Sequence, residues 1–208
     1  MNKKIVIISL VAVIVVAGGV VGGLYLVNNA GKSAYDPTGP AQPGTVLTAD
    51  LSKDLGATSL VTIDTIKSAL GSAAANVTGP YNLGRVNGRD GGESQTAVYP
   101  FGAAGTIEDG YGITNALSIE LYIYKDKAAV DTILAAIPQD STPVTGVGER
   151  AWLVENRAEG AEFVSYTLHV VSGVKEYSFK ISQPTASATY KLASAAAALN
   201  TIAKSVTY

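Results

Sequence analysis

Four residues have side chains suited to recognising a ligand: Tyr122, Tyr124, Trp152 and His169. Tyrosine and tryptophan offer rigid contact area that ends in a polar handle. His169 is the only histidine, so a multi-histidine metal centre and an H-E-x-x-H protease are both excluded. There is no cysteine, which removes thiol nucleophiles, thiolate zinc sites and iron–sulfur clusters. No catalytic residue, metal or cofactor is expected.

Three motifs resemble chemistry and read better as turns. Gly146-x-Gly148-x-x-Ala151 has the letters of a dinucleotide fingerprint. That fingerprint needs a helix to open there, and Ala151 to Glu155 is strand-like instead. Ser172-x-x-Lys175 matches the start of a serine acyl-enzyme motif, but neither S-D-N nor K-T-G accompanies it. The acidic runs Asp90 to Glu93 and Glu108 to Gly110 lack the alternating oxygen ligands of a calcium loop.

The elements that must position the four residues follow from periodicity. Leu47, Leu51 and Leu55 predict a short helix capped by Thr48 and stopped by Gly56. Ile63, Ile66 and Leu70 predict a second, with Asp64 in its first turn and Gly71 at its end. Thr96 to Phe101 reads as a strand, with Pro100 suggesting an edge. Asn87-Gly88 is a turn signal. From Leu117 to Tyr124 apolar and polar residues alternate, which puts Tyr122 and Tyr124 opposite Leu117, Ile119, Leu121 and Ile123. Asp126 caps a helix that carries Val130, Ile133, Leu134 and Ile137. Phe163 to Val171 and Glu176 to Ser182 form a hairpin, with Ser165, Thr167 and His169 on its polar side and Ser178 and Lys180 across from them. The last helix, near Ala188 to Val206, presents Leu192, Ala196, Leu199, Ile202 and Val206. The expected fold is α+β: a mostly antiparallel sheet with helices on one face. The other face should then be open and polar. It is read as a binding surface or, more plainly, as an ordinary solvated sheet face on which tyrosine satisfies strand preference. The side that Trp152 takes is not legible.

Ile5 to Val27 is uncharged for 23 residues, long enough to span a bilayer core of about 30 Å. Lys3 and Lys4 precede it, which predicts an N-terminus inside and a C-terminal domain outside. The run is longer than a cleavable signal and ends without a small-x-small site, so it reads as an uncleaved, single-pass signal anchor. Gly18, Gly19, Gly22 and Gly23 form G-x-x-x-G pairs, a face that lets two membrane helices approach and suggests a homodimer. The predicted organisation is a tail and anchor over 1–27, a Pro/Gly-rich stalk over 28–46 and one extracytoplasmic domain over 47–208. Beyond Val27 lie all 17 acidic residues but only 13 of the 15 basic ones. An acidic exterior argues against nucleic acid or anionic lipid as a partner.

The region from about Leu60 onward resembles small actinobacterial envelope lipoproteins of unknown function. The residues that carry this are Ala69-Leu70-Gly71, the turn Gly146-Val-Gly148-Glu149-Arg150-Ala151 before a strand, and the final Ala/Leu-rich helix. The lipid-modified cysteine of that group is missing. The resemblance implies a non-catalytic module of the cell envelope and supplies no site residues. The expected function is a membrane-anchored, extracytoplasmic binding module for an envelope protein or glycan. Two alternatives remain: an assembly subunit that dimerises through the glycine-rich helix, and a hydrolase that uses paired carboxylates.

Overall fold

The computed structural model describes residues 54–88, 91–102, 115–157 and 160–208. The anchor over 1–27, with Gly18, Gly19, Gly22 and Gly23, the stalk and most of the helix expected at Leu47 to Leu55 lie outside these residues. Among the described residues no helix is long and apolar enough to cross a membrane.

Seven strands form one antiparallel sheet. They are β1 (Tyr81–Asn87), β2 (Glu93–Pro100), β3 (Ala116–Ile123), β4 (Thr142–Val144), β5 (Arg150–Asn156), β6 (Phe163–Ser172) and β7 (Lys175–Pro184). Their order is β1-β2-β3-β7-β6-β5-β4. Strand β2 is therefore interior, which corrects the edge expected from Pro100. That proline is the last residue of β2 and pairs only with Ala116, because β1 begins opposite Val98 and reaches no further. Its missing N–H costs no ladder bond on that side.

The first face of the sheet holds the main core. Leu117, Ile119 and Leu121 of β3 meet Tyr177, Phe179 and Ile181 of β7, which meet Tyr166, Leu168 and Val170 of β6. Two helices seal this layer. Helix α1 (Ile63–Leu70) starts where the Thr62 hydroxyl accepts from Thr65 N and ends at Gly71, whose φ of 64° is open to glycine. It buries Ile66 and Leu70. Helix α3 (Leu192–Lys204) buries Ala195, Leu199 and Ile202, with small alanines letting it lie close. Leu192, expected on that stripe, is exposed at the helix start.

Helix α2 (Lys127–Ala135) departs from the expectation that helices share one face. It begins as expected, with Asp126 Oδ1 accepting from Ala129 N at 2.9 Å. It then packs on the second face, where Val130, Ile133 and Leu134 meet Trp152, Val171 and Tyr124. The reason is topological. The chain leaves β3 in the middle of the sheet and must reach β4 at the far edge, passing over β7, β6 and β5. On the second face, Trp152 and Val171 give its apolar stripe a seat.

Candidate binding face

The hairpin of β6 and β7 fixes the register of the second face. A two-residue loop, Gly173–Val174, with Gly173 at φ 59°, sets Ser172 opposite Lys175 and so His169 opposite Ser178. Extended across the sheet, one row reads Thr96, Glu120, Ser178, His169, Trp152 and Pro143. The row above it reads Ser94, Tyr122, Glu176, Val171 and Arg150. The row below reads Val98, Ser118, Lys180, Thr167 and Val154. Side chains in neighbouring positions of such rows stand about 5 Å apart.

Glu176 is the hub. It is only 1% exposed. One oxygen, Oε1, lies 2.7 Å from His169 Nδ1 and 3.3 Å from Ser178 Oγ. The other, Oε2, accepts from the Tyr124 hydroxyl. Burial by itself raises the Glu176 carboxyl, but the hydrogen bond and charge of His169, with the bonds from Tyr124 and Ser178, outweigh it and hold the group below its ordinary value. The Ser178 hydroxyl is also 3.2 Å from the same His169 Nδ1. Serine and glutamate thus share one ring nitrogen. A nucleophilic triad needs them on opposite nitrogens, so this trio is not one.

The four residues singled out from the sequence come together here. The Trp152 and His169 rings stack at 5.0 Å with planes 9° apart. Tyr122 and Tyr124 meet at 4.6 Å. All four join through Glu176 and its neighbours. They do not form an open surface, however. Tyr124 and Trp152 are each 5% exposed and His169 is 9% exposed, beneath and beside α2, while Tyr122 is half-buried. This corrects the expectation of a solvated aromatic face.

Glu120 and Lys180 complete the cluster. Burial pushes the Glu120 carboxyl up and the charge of Glu176 adds to this, while Lys180, Ser94 and His169 oppose it. Burial pushes the Lys180 ammonium down, against the pull of Glu120. Glu176 was not singled out from the sequence, although the two-residue hairpin loop places it diagonal to His169. Alternation puts Ser178 and Lys180 on this face, and Glu120 with Tyr122 and Tyr124, but it assigns none of the three charged or hydroxyl groups a role.

Apart from this cluster, an open cleft of about 380 Å³ lies at the sheet edge, lined by Asp140, Thr142, Leu153, Glu155, Arg157 and Leu192. Gly146 and Gly148 are turn residues, at φ 81° and 55°, and β5 follows them directly. No helix opens there to hold a phosphate. Among the described residues no group of three or more His, Cys, Asp or Glu is arranged to hold a metal.

No family model, curated protein or solved structure matches this chain.

Proposed function

We propose that the chain is a membrane-anchored module of the cell envelope that binds a glycan through the second face of its sheet, without catalysis. The apolar run Ile5 to Val27 behind Lys3 and Lys4 supports the anchoring. The observation that carries the binding reading is the half-buried Glu120 and Lys180 beside the buried Glu176 cluster on the second face. Replacing a buried ionic cluster by apolar side chains is commonly neutral or stabilising. A sheet with a complete core on its first face does not need one on its second for stability. Carboxylates, an ammonium and hydroxyls beside aromatic rings are the groups that hold polyhydroxylated ligands. A carboxylate hydrolase is the second reading, favoured by Glu120 and Glu176 shifting in opposite directions. Both oxygens of Glu176 are already engaged by His169, Ser178 and Tyr124, which leaves it poorly placed to activate water.

Trp152 is the only tryptophan, so its emission reports on this face alone. The full chain should be titrated with solubilised envelope polysaccharide and, separately, with envelope protein. A saturable change in emission with polysaccharide is expected. No change with polysaccharide overturns the glycan reading, and a response to protein alone replaces it with a protein partner.

A further inference from the structure

We propose that the lower half of the second face, around Lys180, is a receptor for a ligand carrying a single carboxylate beside hydroxyl groups, of the sugar-acid class. This deepens the glycan reading and rests on it.

The register places Ser118 and Thr167 on either side of Lys180. In the next row Ser182 lies between Ala116 and Ser165. Among the described residues no hydrogen bond engages the hydroxyls of Ser118, Thr167, Ser165 or Ser182, and none of them is sealed from solvent. Among the described residues the half-buried Lys180 makes no ion pair. A half-buried ammonium that makes no direct ion pair, with unengaged hydroxyl donors beside it, is the complement of an anion.

Charge selects the kind of anion. Glu120 stands diagonal to Lys180 and its charge acts on the lysine. A dianion such as phosphate would meet one cation and one carboxylate. A carboxylate places one negative charge on the ammonium and leaves Glu120 to bond a neighbouring ligand hydroxyl. Ser118 and Thr167 supply further hydroxyl contacts. The downward shift of Lys180 adds a sign: binding requires the ammonium, so affinity falls as pH rises through its lowered value.

Calorimetric titration of the full chain with glucuronate, glucose and inorganic phosphate near neutral pH tests this. Saturable glucuronate binding is expected, with glucose and phosphate weaker by roughly tenfold or more. Lys180→Met should lose glucuronate binding and Lys180→Arg should retain it. Lys180→Met also removes the charge that opposes the upward push on Glu120, so its unfolding is measured alongside. A retained cooperative transition separates a lost ligand contact from a lost fold, and Lys180→Gln serves as a second such variant. The inference is overturned if glucuronate fails to bind the parent chain, if glucose binds as tightly, or if folded Lys180→Met binds unchanged. If polysaccharide still alters Trp152 emission while glucuronate fails, only this inference falls. If neither acts, the glycan reading falls with it.

Discussion

The two faces of the sheet both bury polar side chains, and they use them differently. On the first face the buried polar groups are neutral amides that tie down crossing chain. Gln95 Oε1 accepts from Leu55 N at 2.9 Å and Ala57 N at 3.1 Å. Gln183 accepts from Thr189 N and Tyr190 N and donates to the Tyr190 carbonyl at 2.6 Å. Each amide satisfies backbone groups that would otherwise be stranded beneath the helices. On the second face the buried groups are ionisable and bond one another, as Glu176 does with His169 and Tyr124. The difference teaches how the labour is divided. Neutral clasps on the apolar side position segments, while the ionisable set on the second face bonds within itself, and it is this set to which the proposed ligand binding is assigned.

The largest effect should come from the first face. Phe179 is wholly buried between Ile119 and Leu168. Phe179→Ala should cost about 3–5 kcal/mol in denaturant unfolding. A loss below about 1 kcal/mol would mean that this face is not the main core.

Next is the hub of the second face. Glu176→Ala leaves His169 and Tyr124 without their shared acceptor and should cost about 3 kcal/mol. Replacing the pair together, His169→Phe with Glu176→Met, should cost much less. A double variant as damaged as the single would make the cluster structural and erase the distinction between faces. The pH dependence follows from the lowered Glu176 carboxyl. Its contribution is complete above the ordinary carboxylate value and is lost as pH falls through the lowered one. Glu176→Gln should flatten that acid limb of the stability curve.

Smaller again is Gly148→Ala. Its φ is positive, and a Cβ would come within 2.4 Å of Val170 Cγ1 and 2.8 Å of the Val171 carbonyl oxygen. A cost of about 1–3 kcal/mol is expected, with no change in nucleotide affinity. NAD or ATP binding that disappears in this variant would reverse the turn reading.

The first face was legible in the sequence because its evidence is local. Period-two alternation over Leu117 to Tyr124 and along the hairpin gave the strands. Asp126 and Gly71 marked helix ends where the caps are found. The side taken by α2 was not legible, because it depends on sheet order, and sheet order is a long-range property. A trace of it was present: Val171 is an apolar residue on the polar parity of the hairpin, and it forms the seat together with Trp152. The shared face of Tyr122, Tyr124 and His169 followed from alternation, and the place of Trp152 on it did not. Their burial did not, since it is imposed by a helix that crosses from β3 to β4.

Leu117 and Ser118 are neighbours on β3 that face opposite ways, and they test the division of labour most directly. Stability and retention on immobilised envelope polysaccharide should be measured for Leu117→Ala and Ser118→Tyr in the full chain. Leu117→Ala should cost about 2–5 kcal/mol while its folded fraction keeps ligand retention. Ser118→Tyr should change stability by less than about 1 kcal/mol and abolish retention. Full retention by a folded Ser118→Tyr chain would contradict the assignment of binding to the second face.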